Sequence, residues 1–309
     1  MSPIDQSAGI IRQVERVLHG KRSAVELTLA CVVAGGHLLL EDLPGTGKTM
    51  LARALAVSLG LDMRRIQFTA DLMPSDILGG PVYNPRDGTF ILRPGPVFSH
   101  IVLADEINRA NPRAQSALLE CMEERQVTLD GQTHPLPAPF VVLATQNPIE
   151  LAGTYPLPEA QLDRFLVRLS LGYPSLAVEA ALIEAQRSHH PIRDLQPVGS
   201  ADTLIAMQAA AASIHLAPVV ADYIARIVTA TRQHEHIQVG ASPRATLGLA
   251  RLARAVSLLR GASHVDPATV RELAPAVLSH RLHLKPTRPA GVDAAALVDQ
   301  LLDQVPAPR

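Results

Sequence analysis

The most informative stretch of this chain is residues 39–49, which read Leu-Leu-Glu-Asp-Leu-Pro-Gly-Thr-Gly-Lys-Thr. The two leucines end an apolar strand, a turn with glycines at positions 45 and 47 follows, and a helix is predicted over residues 50–59. Glycine lets backbone N–H groups approach an anion without a Cβ in the way, and a helix N-terminus attracts negative charge. An ordinary glycine-rich turn needs neither the strand nor the helix, so the whole stretch predicts a loop that binds phosphates.

Two side chains close this loop. Lys48 supplies a point charge for the β- and γ-phosphates of a nucleotide, and the Thr49 hydroxyl is expected to ligate Mg²⁺. Asp42 stands where the general pattern G-x-x-x-x-G-K-[ST] has its first glycine, and we expect this departure to shape only the loop entry. The residues predicted to bind the nucleotide are consecutive: Pro44, Gly45, Thr46, Gly47, Lys48, Thr49 and Met50.

A second apolar strand, predicted over residues 101–104, ends in Asp105 and Glu106. Open α/β sheets bind ligands at the carboxyl ends of their strands. Asp105 is therefore placed to hold Mg²⁺ together with Thr49, and Glu106 is placed to orient or deprotonate an attacking water. Acids at a strand end commonly face solvent instead, but that alternative requires a coincidence with the phosphate loop.

Length and composition limit what surrounds these motifs. The chain has 309 residues, which suggests two domains, and its 47% hydrophobic content with 3% aromatic residues predicts a large aliphatic core. Lys and Arg number 28 against 29 Asp and Glu. The resulting net charge of −1 provides no overall attraction to nucleic acid.

Cysteine usage and hydropathy indicate a cytoplasmic protein. Cys31 and Cys121 lie far apart within apolar helical patterns, which predicts reduced and buried thiols. The longest apolar stretch, residues 27–40, is too short for one membrane-spanning helix, and the first residues show no signal peptide. We therefore expect a cytoplasmic location and no membrane span.

Strands and helices alternate up to about residue 172, and only helices follow. The alternation predicts a parallel sheet with helices on both faces over residues 1–172, then an all-α lid without strands over residues 173–309. Turn residues between β-formers predict hairpins at residues 82–92 and 127–136. The lid helices are predicted at residues 176–187, 203–212, 217–231, 243–259, 267–278 and 292–302.

Three further polar positions fit a nucleotide-hydrolysing site. Asn147 follows an apolar strand and is placed to polarise the attacking water or to contact the γ-phosphate. Arg164 precedes another predicted strand, from which it can reach the nucleotide of a neighbouring subunit; a surface pair with Asp163 is the alternative. Arg244 lies in the first turn of a predicted helix, at its positive end, where a cation calls for a nearby anion such as a phosphate.

Four stretches together resemble the MoxR family of AAA+ ATPases. They are residues 41–49, residues 105–110 (Asp-Glu-Ile-Asn-Arg-Ala), residues 144–148 (Ala-Thr-Gln-Asn-Pro) and residues 157–165 (Leu-Pro-Glu-Ala-Gln-Leu-Asp-Arg-Phe). The resemblance implies an AAA+ P-loop core followed by a helical lid. It assigns Asn147 as sensor 1, Arg164 as the arginine finger and Arg244 as sensor 2, with Arg109 and Arg113 as alternatives for the finger.

The resemblance also implies a function. Members of this family are ring-forming, usually hexameric ATPases that use ATP and Mg²⁺ to remodel or mature partner proteins, often ones with a von Willebrand factor A domain. This sequence shows no such domain, so the partner is expected to be a separate protein. The ATPase subunit of magnesium chelatase is a close relative, and a role of that kind is one alternative.

Two other functions fit the same fold, namely a nucleic-acid motor and a scaffold that binds ATP without turnover. A motor must neutralise phosphates, but the chain has only three lysines, and the hairpin insertions at residues 81–96 and 127–139 contain just Arg86 and Arg93. A scaffold has no need of a base at Glu106. An ATPase that remodels a protein is therefore the leading hypothesis, with no nucleic acid as partner.

Overall fold

The computed structural model describes residues 3–86, 88–148, 153–185, 191–289 and 291–308. Its helices are α1 (Pro3–Glu15), α2 (Arg22–Val33), α3 (Lys48–Leu59), α4 (Pro74–Leu78), α5 (Pro112–Glu124), α6 (Glu159–Leu162), α7 (Leu176–Ala185), α8 (Ala201–Ala212), α9 (Pro218–Thr231), α10 (Pro243–Leu259), α11 (Pro267–Leu278) and α12 (Ala294–Gln304). Its strands are β1 (Leu38–Glu41), β2 (Met63–Gln67), β3 (Gly79–Asn84), β4 (Thr89–Pro94), β5 (Ile101–Asp105), β6 (Gln126–Leu129), β7 (Gln132–Pro135), β8 (Val141–Gln146), β9 (Val167–Leu169), β10 (Ile237–Val239) and β11 (His283–Leu284).

Five parallel strands form the central sheet, in the order β2-β5-β8-β1-β9. The register pairs Leu38 of β1 with Leu143 of β8 on one side and with Val167 of β9 on the other. Strands β5 and β8 are buried on both faces, which is why they read as unbroken apolar runs in the sequence. The predicted parallel sheet is confirmed, and its strand order brings the carboxyl ends of β1, β5 and β8 side by side.

The two faces of the sheet carry separate clusters of buried apolar side chains. Leu38 and Leu40 join the cluster that contains α1, α2 and α3, whereas Leu39 joins the one that contains α5, because successive side chains of a strand point to opposite faces. The first cluster continues into helices α8 to α12. Since these contacts run across residue 172, they do not mark a boundary between residues 1–172 and 173–309, and that division stays a prediction.

Helices α7 to α12 form the region that follows the sheet. The helix predicted at residues 176–187 is described as far as Ala185, and positions 186 and 187 lie outside the described residues. The expectation that this region lacks strands is wrong, because β10 and β11 pair antiparallel with Ile237 opposite Leu284. These strands are too short to show an alternating pattern, and their pairing depends on how α10 and α11 fold between them.

A buried ion pair joins the helical region to the sheet. Arg281 Nε lies 2.7 Å from Asp163 Oδ1, and the hydroxyl of Ser242, at the start of α10, donates to Asp163 Oδ2 at 2.9 Å. Arg281 is only 7% exposed. Because Asp163 precedes β9, this contact holds the helical region against the amino end of that strand.

Both predicted hairpins are present, β3 with β4 and β6 with β7. The first hairpin exposes Tyr83 and Phe90, whose ring centroids lie 5.5 Å apart. Cys31 and Cys121 are buried and free, as predicted. Within the described part of the chain, no helix combines the length and the apolar character needed to cross a membrane.

Candidate functional site

A cavity of about 340 Å³ lies where the carboxyl ends of β1, β5 and β8 meet the start of α3. We call it the phosphate cavity. It brings together nine of the predicted site residues and Thr145: Pro44, Gly45, Gly47, Lys48, Thr49, Met50, Asp105, Glu106 and Asn147. Thr46, the remaining residue of the predicted loop, is buried beside it, and its hydroxyl donates to the carbonyl of Leu43 at 3.2 Å.

The loop backbone is shaped to receive an anion. Gly45 and Gly47 have φ values of 82° and 98°, a left-handed conformation that favours glycine over residues with a Cβ. Gly47 is the N-cap of α3, and no side chain of the described residues caps this helix. The first N–H groups of a helix have no partner within the helix, so those of α3 are available to phosphate oxygens.

Lys48 is held at the mouth of the loop by backbone. Its Nζ donates to the carbonyls of Asp42, at 2.5 Å, and Leu43, at 3.1 Å. Burial lowers the pKa of Lys48, and the nearby carboxylates of Asp42 and Asp105 oppose that shift. A phosphate oxygen in the cavity would compete with these two carbonyls for the ammonium group.

Asp105 is buried in a network that fixes its orientation. One carboxylate oxygen accepts a hydrogen bond from Thr145 Oγ1 at 2.6 Å, and the other accepts from Arg65, with Nη2 at 2.6 Å and Nε at 3.0 Å. Oxygen donors are what Mg²⁺ prefers, so the Asp105 carboxylate and the Thr49 hydroxyl fit the predicted metal role. The metal would be held together with phosphate oxygens, as is usual for Mg²⁺ in nucleotide sites.

Glu106 has an unusual backbone conformation, with φ 58° and ψ 48°. Outside glycine such a conformation costs on the order of 1–3 kcal/mol and is found disproportionately at functional sites. The Glu106 N–H donates to Thr145 Oγ1 at 2.9 Å, and its carboxylate accepts from Gln67 Nε2 at 2.7 Å and Arg109 Nη1 at 2.9 Å. The carboxylate is therefore held at the edge of the cavity by two hydrogen-bond donors.

Asn147 completes this side of the cavity. It is buried just after β8, and its backbone carbonyl accepts a hydrogen bond from Asn108 Nδ2 at 3.4 Å. Because β5 and β8 are neighbours in the sheet, Asn147 and Glu106 line the same cavity. This geometry fits an amide that contacts the γ-phosphate or the attacking water.

A second cavity, of about 180 Å³, also borders the phosphate loop. We call it the base cavity. It shares Gly45, Gly47 and Met50 with the phosphate cavity, and its other walls come from Thr46, from the turn after α1, and from residues 174, 178 and 191 in and around α7. Val17, Leu18 and Val178 give these walls an apolar character, which suits the flat, poorly hydrated faces of a purine base.

Arg164 and Arg244 lie in a third cavity, of about 230 Å³, which we call the arginine cavity. Its lining includes Gly36 and His37, which precede β1, so it lies at the opposite end of that strand from the phosphate loop. Four residues of strand span about 13 Å. The structure thus brings Arg164 and Arg244 together with each other and separates them from their own chain's phosphate loop.

Glu123 is the anion that both arginines contact. Arg164 Nε lies 2.9 Å from Glu123 Oε2, and Arg244 Nη2 bonds Glu123 Oε1. The hydrogen bond from Arg164 and the charge of Arg244 hold the pKa of Glu123 below its ordinary value. The alternative pairing of Arg164 with Asp163 is not what the structure has, since Asp163 binds Arg281.

This chain is similar to known proteins over most of its length. Residues 37–167 match the ATPase family associated with various cellular activities (AAA), and residues 229–301 match the AAA lid domain. The chain is 43% identical over 283 residues to Chaperone MoxR1 of Mycobacterium tuberculosis (strain ATCC 25618 / H37Rv), with 89% of this chain and 74% of that protein covered. The chain belongs to the MoxR family of AAA+ ATPases.

Two further comparisons cover nearly the whole MoxR-family chain. It is 48% identical over 299 residues to the protein YeaC of Bacillus subtilis (strain 168), covering 96% of this chain and 93% of YeaC. A crystal structure of a Cytophaga hutchinsonii protein superposes with a TM-score of 0.92 at 36% identity, covering 99% of this chain and 96% of that one. The resemblance and the fold class expected from the motifs are therefore confirmed, and the protein is an AAA+ ATPase of the MoxR chaperone type.

Three residues of this MoxR-family site escaped sequence reasoning, namely Arg65, Gln67 and Thr145. Arg65 and Gln67 lie in β2 and Thr145 lies near the end of β8, and these are the two strands that flank β5. The register places Gln67 opposite Asp105, which explains why β2 supplies donors to both acids. A polar residue at a strand end was the available signal, but it becomes informative only when the neighbouring strand is known.

Proposed function

We propose that this protein hydrolyses ATP to ADP and phosphate, with Mg²⁺ held by Thr49 and Asp105. The observation that carries the proposal is the phosphate cavity, where the glycine loop, Lys48 and both strand-end acids line one space. Mg²⁺, when bound, neutralises charge on the β- and γ-phosphates. The base cavity beside the same loop offers apolar walls to the adenine.

In this mechanism Glu106 is the general base. Gln67 and Arg109 fix the position of its carboxylate, so that it can take a proton from the attacking water. As the water oxygen bonds to the γ-phosphorus, the bond from that phosphorus to the bridging oxygen breaks, and ADP leaves with the electron pair. Asn147 orients the water or the γ-phosphate, and Lys48 binds the developing charge on the phosphate oxygens.

The catalytic assignment is tested by two substitutions with opposite signatures. Glu106→Gln should retain ATP binding and lose turnover by roughly 10²-fold or more, since it removes only the base. Lys48→Ala should lose ATP binding. Glu120→Gln, at an exposed position of α5, is the matched control and should behave like the parent protein. Turnover at the parent rate in Glu106→Gln would contradict the role of Glu106.

We further propose that the protein acts as a ring, with six subunits as the expected number. Arg164 and Arg244 line a cavity at the far end of β1 from their own loop, so they are available to the nucleotide of a neighbouring subunit. Arg109, one alternative for the arginine finger, already binds Glu106 of its own chain. Sedimentation with ATP should therefore show an oligomer, and a monomer with unchanged activity per subunit would contradict the ring.

We propose that the partner is a separate protein with a von Willebrand factor A domain, and that the two proteins bind each other in the cytoplasm. The β3–β4 hairpin supports a protein partner, because Val82, Tyr83, Phe90 and Ile91 are 45–71% exposed on it. Exposed apolar patches of this kind mark protein interaction sites. A hairpin that bound nucleic acid would need cations next to the phosphates. Each such contact would contribute about −0.9 to the slope of the logarithm of the binding constant against the logarithm of the salt concentration.

The partner class is tested by measuring ATPase activity with candidate ligands. A purified von Willebrand factor A domain protein should raise turnover, and single- or double-stranded DNA should leave it unchanged at physiological salt. Val82→Ser together with Ile91→Ser should abolish the stimulation while leaving the rate without partner intact. DNA-stimulated hydrolysis with steep salt dependence would instead favour a nucleic-acid motor.

A further inference from the structure

Asp42, the one departure from the general phosphate-loop pattern, does more than shape the loop entry. It follows β1 directly and is only 7% exposed. Its carboxylate accepts hydrogen bonds from Ser170 Oγ at 2.8 Å, from Gly172 N at 3.2 Å and from Leu171 N. Hydrogen bonds to an ionised acceptor are among the stronger ones in proteins, so these bonds hold a defined partner segment.

That partner segment is the connector between the sheet and the helical region. Residues 170–173 follow β9 and precede α7. Lys21 holds the same segment from the other side, since its Nζ donates to the carbonyls of Leu171 and of Tyr173, the latter at 2.8 Å. The connector therefore donates hydrogen bonds from its N–H groups to Asp42 and accepts hydrogen bonds from Lys21 at its carbonyls.

Asp42 also contacts the phosphate loop, through its backbone. Its carbonyl accepts a hydrogen bond from Lys48 Nζ at 2.5 Å. Lys48 is the cation for which a nucleotide phosphate would compete. One residue thus carries a bond that phosphate binding would disrupt and three bonds that position the connector.

We infer that Asp42 is a positioning residue that couples occupancy of the phosphate loop to the position of the lid. The inference rests on the proposed nucleotide site. When a phosphate takes the Lys48 ammonium from the Asp42 carbonyl, residue 42 shifts, and its carboxylate transmits the shift to residues 170–172. A glycine at this position, as in the general pattern, would leave the loop and the connector without this link.

Thermodynamic reciprocity makes the coupling measurable from the connector side. If the arrangement with Lys48 on the Asp42 carbonyl is stabilised by the connector bonds, then weakening those bonds favours the phosphate-bound arrangement. Ser170→Ala removes one connector bond without touching the loop. It should therefore tighten Mg-ADP binding, and Asp42→Gly, which removes all three bonds, should tighten it further, by about fivefold in total.

Two readouts test the coupling: Mg-ADP affinity by titration calorimetry, and amide hydrogen exchange of the peptide that contains Leu171 and Gly172. In the parent protein Mg-ADP should alter exchange of this peptide, and in Asp42→Gly exchange should be fast with or without Mg-ADP. Ser213→Ala removes a serine hydroxyl that donates to the carbonyls of Ala209 and Ala210 in its own helix region, and this control should leave both readouts unchanged. A purely structural role for Ser170 or Asp42 would lower stability without changing Mg-ADP affinity.

Failure of the coupling is distinguishable from failure of the proposed function. The coupling is overturned, and the nucleotide site stands, if the parent protein binds Mg-ADP but two results are negative. These are an unchanged Mg-ADP affinity in Ser170→Ala and an amide hydrogen exchange of the connector that is the same with and without Mg-ADP. If the parent protein binds neither Mg-ADP nor Mg-ATP, the proposed function and the coupling are both overturned.

Discussion

The phosphate cavity and the arginine cavity lie at opposite ends of β1 and are built in different ways. The phosphate cavity takes six of its lining residues from one consecutive stretch of chain, and it balances cations with the carboxylates of Asp105 and Glu106. The arginine cavity draws five arginines from four separate elements or turns and offers them only Glu123 and Asp163. The first cavity has the groups to bind a nucleotide by itself, whereas the second carries an excess of positive charge that calls for an anion from outside the chain.

The largest effect is expected from removing an arginine that lies far from its own chain's phosphate loop. Arg164→Ala should reduce turnover by roughly 10³-fold, the lower end for an arginine finger, with ATP affinity and stability nearly unchanged. Mixing this variant with Lys48→Ala should restore part of the activity, because the intact loop of the first chain can meet the Arg164 of the second. Steady-state ATPase assays of the separate and mixed variants measure both effects.

The mixing experiment also has a clear negative outcome. If the mixture hydrolyses ATP no faster than the sum of its components while subunits exchange, the two cavities do not meet across an interface. Arg226→Ala is the matched control, since this arginine of α9 binds Asp222 and the carbonyl of Pro306, lies outside the arginine cavity and should leave turnover unchanged.

Arg281 shares the arginine cavity but faces inward, so its removal should affect folding. Arg281→Met leaves the carboxylate of Asp163 without its buried partner, which should lower the free energy of unfolding by about 3–5 kcal/mol. Urea unfolding would measure this loss, provided that the slope of the free energy of unfolding against urea concentration is the same in both proteins. Ser242→Ala removes one bond to Asp163 and the N-cap of α10, and it should cost about 1–2 kcal/mol. An Arg281→Met variant as stable as the parent would show that the lid contact at β9 is dispensable.

His37, at the same end of β1, should make stability depend on pH. Burial lowers the pKa of His37 to about 4. Its ordinary value is about 6.5 in the unfolded chain, so between these two pH values only the unfolded chain binds the proton, and stability falls as pH drops. Between pH 7.5 and pH 5 His37 should account for a loss of about 2 kcal/mol in the free energy of unfolding.

Urea unfolding of the parent and of His37→Gln at both pH values checks this contribution. The variant should be less stable at pH 7.5 but should lose less on acidification, because it lacks the group that titrates. Burial also lowers the pKa of His280, which leaves a residual loss of the same sign. Equal losses in the two proteins would contradict the burial argument for His37.

The smallest expected effect lies away from both cavities. Arg22 pairs with Glu26 one helical turn along α2, at 2.8 Å, and its side chain is 58% exposed. Arg22→Ala should change the free energy of unfolding by less than about 0.5 kcal/mol, because solvent and salt screen exposed pairs. A loss as large as that of Arg281→Met would mean that exposure is a poor guide to the worth of an ion pair in this protein.

Much of the phosphate cavity was predictable, because its chemistry is carried by neighbours in sequence. The glycines, Lys48 and Thr49 act through a turn whose geometry depends on a few adjacent residues, and a strand that ends in Asp105 and Glu106 is visible as an apolar run. The parallel sheet follows from the same local patterns. What was missed there, such as Gln67 opposite Asp105, depends on strand order, which is set by contacts between distant segments.

Local sequence patterns were sufficient to identify the phosphate loop, the acidic strand, the alternation of strands and helices, and the family. The folded chain alone reveals that Arg164 and Arg244 share Glu123, that Arg281 binds Asp163, and that Asp42 binds the connector. Backbone conformation responds to nearby residues, whereas these contacts join residues that lie between 41 and 129 positions apart and form only after the chain has folded.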